Sequence, residues 1–537
     1  MEPYATTLNL ASMVSHHARQ TPQKEAVVWK DVRLTYSELD KMSNRVANAL
    51  VDIGIGSDDK VALVCPNLPF FPVIYYGIMK VGAVVVPLNC LFKAREFVYH
   101  LTDSDAKAVF VFEGTDELPM AQTVKTAFDQ VPSCQHLVVI TKDLTGPSPL
   151  SEHKTLTQIT VDQSHKFEIY PTRPDDTCSI LYTSGTTGQP KGAELTHFNI
   201  YMNSVAAYQI QLARIDFTKD EQLTCLITLP LFHTTGQTVQ MNSGMFGGQR
   251  IVLLPRFEPA ATLEAMAKEK ANFWVGVPTM YWAILKYIEE TGFDPKPIAE
   301  NLIVPTSGGA PMPVELIERF KRVFGLRLCE GYGLTETSPL ACFNHLERPA
   351  KPGTVGQPLM GTEIKCFDDD DNEVERGTRG EVVIRGHNIM KGYYKRPQAT
   401  EKAFTNGWFH TGDIGVIDDE GYLSIVDRKK DMILRGGYNV YPRELEEVII
   451  THPAVSLCAV IGVPDERLGE EVKAFVVLKQ DAELGKTEFI DWCKEQFAAN
   501  KYPRYVEFRE SLPIGGTGKI FKRALKEEVA RATSKQV

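Results

Sequence analysis

The sequence predicts an α/β protein: a large N-terminal domain of βα-layered sheets (residues 1–427), β-rich near 350–427, then a small C-terminal α/β domain (428–537). Three observations carry this. Apolar runs of strand length alternate with helical apolar spacing from residue 38 to residue 324. From Gly353 the pattern changes to short strands separated by turns. After the charged run Asp427-Arg428-Lys429-Lys430-Asp431 a second, shorter alternation begins.

The elements follow in order. Residues 38–54 have helical spacing, 60–65 read as a strand, 70–81 as a helix and 83–87 as a buried strand. Residues 92–101, 108–112 and 137–140 continue the alternation, which predicts mainly parallel sheets. The stretch 141–176, rich in Lys, Ser, Thr and Pro, reads as a long surface connection. Beyond a glycine-rich loop at 182–192, residues 197–212, 259–270 and 278–290 read as helices, and 223–229, 250–254 and 273–277 as strands. A strand at 302–307 runs into Gly308-Gly309-Ala310, and a helix at 313–324 has Gly325 as its C-cap. Strands at 380–385 and 421–426 belong to the β-rich part. The last piece reads helix 442–451, strands 456–463 and 472–478, helix 487–499 and a basic helix 522–531.

With 537 residues the chain has ample material for several domains and a large core. Its ten cysteines are scattered singly, without a C-x-x-C pair, so they read as core thiols in a reducing compartment. A net charge of −10 argues against a nucleic-acid partner, which requires a basic field. The N-terminus has no basic region followed by an apolar run, and the chain ends Ser-Lys-Gln-Val instead of Ser-Lys-Leu. The expected location is cytoplasmic. A peripheral membrane contact and a homodimer stay open.

The chemistry centres on Tyr182-Thr183-Ser184-Gly185-Thr186-Thr187-Gly188-Gln189-Pro190-Lys191-Gly192. Its glycines free backbone N–H groups, its hydroxyls add donors and Lys191 adds a positive charge, which together make a phosphate cradle suited to a nucleoside triphosphate. Lys191 is followed by Gly192, where a Walker loop needs Ser or Thr for magnesium, so this is a different cradle. The stretch resembles the signature loop of the adenylate-forming superfamily, which includes acyl- and aryl-CoA synthetases, amino-acid adenylation domains and beetle luciferases.

Five further segments resemble that superfamily in its order. The resemblance implies that Thr306-Ser307-Gly308-Gly309-Ala310 carries adenine, and that in Glu330-Gly331-Tyr332-Gly333-Leu334-Thr335-Glu336 the Tyr332 ring stacks on it. Thr335 would contact the α-phosphate, while Glu336, with Thr183, would hold Mg²⁺. Asp413 would bind both ribose hydroxyls and Arg428 the ribose and phosphate. Lys430 falls at the hinge about which the small domain swings, and Lys519, in Gly515-Gly516-Thr517-Gly518-Lys519, is the catalytic lysine. The loop Arg435-Gly436-Gly437 would line a tunnel for coenzyme A, although Tyr438 departs from the usual pattern there. ATP, Mg²⁺ and coenzyme A are thus the implied ligands.

The acid to be activated is read from Leu229 to Gln240. Amino-acid adenylation domains place an Asp there to pair the ammonium, and this segment has no acid. His233 matches the residue at the carboxylate end of the acyl pocket, with Thr235, Val239, Gly309, Pro339 and Leu340 at wall positions. Thr235 and Gly236 are small where aryl-CoA ligases tend to put an aromatic wall, so the pocket suits an aliphatic tail. The resemblance is strongest to bacterial medium- and long-chain fatty-acid–CoA ligases. An aryl-CoA ligase of the 4-coumarate type and a fatty-acyl-AMP ligase that loads a carrier protein are the rival readings.

Overall fold

Two sheets with parallel centres organise the first three-quarters of the chain. In the computed structural model, which describes residues 6–183, 189–212, 215, 222–348, 351–436, 438–465 and 467–534, the first sheet has seven strands. From one edge they are Gly392–Tyr393, Lys191–Thr196, Thr177–Thr183, Val84–Pro87, Lys60–Val64, Ala106–Phe112 and His136–Ile140. The last five run parallel; the first two are antiparallel additions on the side of the glycine-rich loop. Val84–Pro87 is buried at every position, as a strand covered on both faces must be.

The second sheet has nine strands: Gln357–Pro358, Leu340–Phe343, Cys329–Gly333, Val304–Gly308, Phe273–Gly276, Thr224–Ile227, Arg250–Leu253, Glu25–Trp29 and Val32–Thr35. Its six central strands are parallel and its outer ones antiparallel. Helix Val314–Phe324 illustrates why the helices between them form. Leu316, Ile317, Phe320 and Phe324 recur on one face, and Phe320 stacks on Phe324 at 4.5 Å and meets Tyr281 edge-on at 5.3 Å. Each such buried side chain contributes about 1.5–3 kcal/mol. The helix stops at Gly325, whose φ of +68° is left-handed, as the C-cap reading expects.

Among the elements missing from the sequence reading are helix Ser12–Gln20, the hairpin Glu25–Trp29 with Val32–Thr35, helix Met120–Phe128 and the strands Lys191–Thr196, Cys329–Gly333, Leu340–Phe343 and Tyr505–Phe508. The hairpin strands have five and four residues, too few for a periodic signal. Helix His197–Leu212 begins where expected, because Thr196 and Asn199 exchange reciprocal capping hydrogen bonds of 3.0 and 3.1 Å. The polar connection 141–176 contains a short helix, Leu156–Thr160, capped by Thr155 and Gln158. The β-rich part forms a sheet from Thr362–Phe367, Gly380–Gly386, Trp408–Ile417, Phe404–Thr405 and Leu423–Arg428. It also lends Gln357–Pro358 and Gly392–Tyr393 to the two larger sheets.

The C-terminal part is a five-stranded sheet with helices Pro442–Ile449, Lys486–Gln496 and Lys522–Ser534. Strand Val455–Asp465 is buried on both faces. Cys458 and Val460 pack with Leu445 and Ile449, while the alternate residues Ala459, Ile461 and Val463 pack with Leu525. All ten cysteines are buried and none is in a disulfide, in keeping with their reading as core thiols. Among the described residues no helix is long and apolar enough to cross a membrane.

Candidate active site

A cleft of about 3150 Å³ opens where the ends of the two large sheets, the β-rich sheet and the C-terminal part meet. A site for one small ligand typically takes about 300–1,000 Å³, so there is room here for several. Thr183, Lys191, His233, Thr235, Val239, Gly308, Gly309, Ala310, Glu330, Gly331, Tyr332, Gly333, Thr335, Glu336, Pro339, Leu340, Asp413, Arg428, Lys430 and Lys519 all line it. Ser184, Gly185, Thr186, Thr187 and Gly188 lie outside the described residues.

Register brings the first group together. Asp413 lies directly opposite Arg428 on neighbouring antiparallel strands, and its Oδ1 forms an ion pair with Arg428 Nε at 3.1 Å. The Tyr332 hydroxyl, at the end of strand Cys329–Gly333, donates to Asp413 Oδ2 at 2.6 Å. Burial pushes the Asp413 carboxyl up, and Arg428 opposes that. The result is a fixed acceptor beside an aromatic face, with Gly308 of the neighbouring strand in register with Gly331. Burial also raises the Glu330 carboxyl to about 7, against the pull of Arg443 from the C-terminal part.

The glycine loop of the C-terminal part delivers Lys519 to the same place. Its turn is closed by Gly515 N–H to Lys519 O at 2.7 Å and Gly518 N–H to Gly515 O at 2.9 Å. The Thr279 hydroxyl, at the start of helix Pro278–Thr291, donates to Gly518 O and docks the turn. Lys519 then lies against Gly309: a Cβ there would sit 2.8 Å from Lys519 Cε and 3.0 Å from Nζ. Gly309 also has φ +79°, so only a residue without a side chain serves both needs. Desolvation in the cleft and then the Arg428 guanidinium pull the Lys519 ammonium down to about 8, with Asp413 opposing. Desolvation, reinforced by Lys519, lowers His233 to about 3, so its imidazole is neutral at pH 7.

Glu336 and Lys191 face the cleft from the loop side. Glu336 Oε1 accepts from the Tyr393 hydroxyl at 2.9 Å, and Lys191 Nζ stands 4.6 Å from the centre of the Tyr393 ring. Thr183 Oγ1 donates to Lys191 O at 3.5 Å, a long bond that ties the two strands flanking the loop. One carboxylate with an oxygen toward phosphate-binding groups is the donor set Mg²⁺ uses, since it fills its other positions with phosphate oxygens and water. Among the described residues no cluster of three or more His, Cys, Asp or Glu side chains offers a cage of another kind.

One part of the wall is apolar. Ala207 and Ile210 come from helix His197–Leu212, Val239 from the π-helix Thr235–Asn242, and Leu340 and Phe343 from strand Leu340–Phe343. Asn203 fixes the helix to that strand by bonding both Leu340 O, at 2.7 Å, and Leu340 N–H, at 3.1 Å.

Two readings are not brought to the site. Arg435 and Gly436 lie outside the cleft lining, and the Arg435 side chain is buried in a two-pronged pair with Glu471 at 2.5 and 2.9 Å. Its guanidinium is therefore committed to the fold of the C-terminal sheet; Gly437 lies outside the described residues. In the other direction, Thr279 and Tyr393 escape the sequence reading. The only signal was Gly392-Tyr393-Tyr394, a glycine–aromatic step ahead of a helix.

Comparison with known proteins gives the family. The AMP-binding enzyme family matches residues 14–394, and the AMP-binding enzyme C-terminal domain matches residues 444–519. A long-chain-fatty-acid–CoA ligase of Bacillus subtilis is 34% identical over 97% of this chain and 94% of its own. A feruloyl-CoA synthase of Amycolatopsis is 35% identical over 96% of this chain and 97% of its own. The crystal structure of ATP-bound MatB from Rhodopseudomonas palustris superposes with a TM-score of 0.87 at 31% identity, covering 97% of this chain and 99% of that one. The chain therefore belongs to the AMP-binding enzyme family, as an acyl- or aryl-CoA ligase of the adenylate-forming superfamily.

Proposed function

We propose that the protein activates a fatty acid with ATP to acyl-AMP, releasing pyrophosphate, and then passes the acyl group to coenzyme A, releasing AMP. The observation that carries this is the convergence of Lys519, Gly309, Asp413 and Tyr332 in a cleft whose wall includes Ala207, Ile210, Val239, Leu340 and Phe343. Asp413 holds the ribose and Tyr332 packs on adenine. The acid's oxygen attacks the α-phosphorus, and negative charge grows on the phosphate oxygens. Lys519 and Lys191 stabilise that charge from opposite sides. Glu336 and Thr183 would hold Mg²⁺, which when bound neutralises phosphate charge. Neutral His233 orients the carboxylate end without adding a competing charge.

For the second step the small domain turns about Lys430 and withdraws Lys519 from the adenylate, which lets the thiol in. With Arg435 held by Glu471, the backbone of exposed Gly436 is what remains to line a pantetheine path. The test is pyrophosphate release across acids from four to eighteen carbons and across hydroxycinnamates, followed by release of AMP on adding coenzyme A. Fatty-acid-dependent pyrophosphate and coenzyme-A-dependent AMP are expected. A preference for hydroxycinnamates would overturn the substrate in favour of the aryl reading that the feruloyl-CoA synthase likeness supports. Acyl-AMP that ignores free coenzyme A would favour carrier loading.

Chain length should be read by the depth of the apolar wall, at about 0.8 kcal/mol for each buried methylene. Val239→Phe would fill space worth about three methylenes, by the ring volume it adds. The preferred acid should shorten by about two to four carbons while turnover of the shortest acids is kept. A length profile unchanged in kcat/KM would place the tail elsewhere.

A further inference from the structure

We propose that Tyr393 is a positioning residue for adenylation, holding the Glu336 carboxylate and the Lys191 ammonium in fixed relation at the phosphate end of the cleft. The inference rests on the reading of Glu336 as the metal-facing carboxylate. One side chain makes both contacts: its hydroxyl donates to Glu336 Oε1 at 2.9 Å, and its ring lies 4.6 Å from Lys191 Nζ. Among the described residues Glu336 Oε2 has no hydrogen-bond partner, which leaves it to face a ligand. The ring face attracts the ammonium without consuming its donors, so among the described residues no N–H group of Lys191 Nζ is taken from phosphate oxygens.

The backbone around Tyr393 is fixed on every side. It pairs with Ala193 in the strand that returns from the glycine-rich loop, Tyr394 N–H donates to Gly192 O at 2.8 Å, and Lys391 N–H donates to Glu194 O at 2.9 Å. Tyr393 N–H donates to Thr400 Oγ1 at 2.9 Å. Met390 N–H, three residues earlier, donates to Glu336 O at 2.9 Å, so one segment holds both the main chain and the side chain of Glu336. Beyond it, the Tyr394 hydroxyl donates to Asp105 at 2.8 Å. Arg396 pairs with Asp103, which also accepts from the Tyr182 hydroxyl at 2.9 Å, just before the loop begins. Both flanks of the loop and the Glu336 turn are thus tied to one short strand. An outer-shell hydroxyl of this kind fixes which carboxylate oxygen is free and where it points.

The experiment measures equilibrium binding in the full-length protein without acid or coenzyme A. Mn²⁺ serves as a paramagnetic probe in the presence of ATP, and ATP alone is titrated with a chelator present. Y393F keeps the ring and its volume. It should weaken Mn²⁺ binding in the ATP complex about tenfold, the lower end of what loss of an outer-shell partner costs, with metal-free ATP affinity held within about twofold. Y393L removes the ring as well and should also lower metal-free ATP affinity about three- to tenfold, the strength of a cation–π contact. In an E336Q background Y393F should add no further loss of Mn²⁺ affinity. Wild-type Mn²⁺ binding by Y393F, or an equal loss in the E336Q background, overturns the positioning role. Unchanged Mn²⁺ binding by E336Q alone would instead overturn the reading of Glu336.

Discussion

Replacing Lys519 with alanine should slow formation of acyl-AMP by about 10²- to 10³-fold, the usual effect of removing one preorganised donor to a charged transition state. Thioester formation from supplied acyl-AMP should be nearly unchanged. The asymmetry follows from the proposed mechanism: Lys519 reaches the cleft with the Gly515–Lys519 turn docked on Thr279 and against Gly309, and the second step as proposed withdraws that turn. The pH dependence carries the same signature. Desolvation and Arg428 have lowered the ammonium to about 8, so the useful charged form is complete below that pH and is lost above it. The kcat/KM of adenylation should therefore be flat toward neutrality and fall about tenfold per pH unit above about 8, as expected for a single essential acid of the free enzyme. K519R should abolish the falling limb, because a guanidinium stays charged. Equal loss of both half-reactions in K519A, or a limb that survives in K519R, would remove Lys519 from the role.

The second large effect is expected at Asp413. Its carboxylate is nearly inaccessible, held by Tyr332 and Arg428, and a hydrogen bond to a charged group contributes about 1.5–3 kcal/mol. D413N should raise the KM for ATP about 10²-fold, or about 3 kcal/mol, with a smaller change in kcat. The telling measurement is the ratio of ATP to 2′-deoxy-ATP. The wild type should discriminate between them and D413N should not. A variant that still prefers the ribonucleotide by the original factor would show that other groups read the sugar.

Much of this was legible from the chain because the chemistry lies on short contiguous segments. Glu330 to Glu336 is one strand end and one turn, and Gly515 to Lys519 is one loop, so residue type and spacing survive without tertiary information. Tyr393 was not legible, since its partner Glu336 is 57 positions away and the contact exists only because a two-residue strand pairs with Lys191–Thr196. The partner of Arg435 was hidden for the same reason: Glu471, which takes its guanidinium, is 36 positions away. The π-helix at Thr235–Asn242 gave no periodic signal, because buried Gln237, Thr238, Gln240 and Asn242 interrupt any apolar stripe. The motif resemblance spoke more sharply to the nucleotide than to the acid's tail, since apolar walls of many shapes satisfy the same sequence pattern.

Gly309 stands against the lysine arriving from the far end of the polypeptide, at the end of the strand read as carrying the base, and at a position read as part of the acid's wall. Variation there would disturb Lys519 and, on the proposed reading, the base and the acid as well, so the position has little latitude. On the proposed reading, descendants of this enzyme that acquire a taste for other acids do so farther out, through Thr235, Val239 and Leu340, leaving the heart of the machine untouched while its appetite drifts.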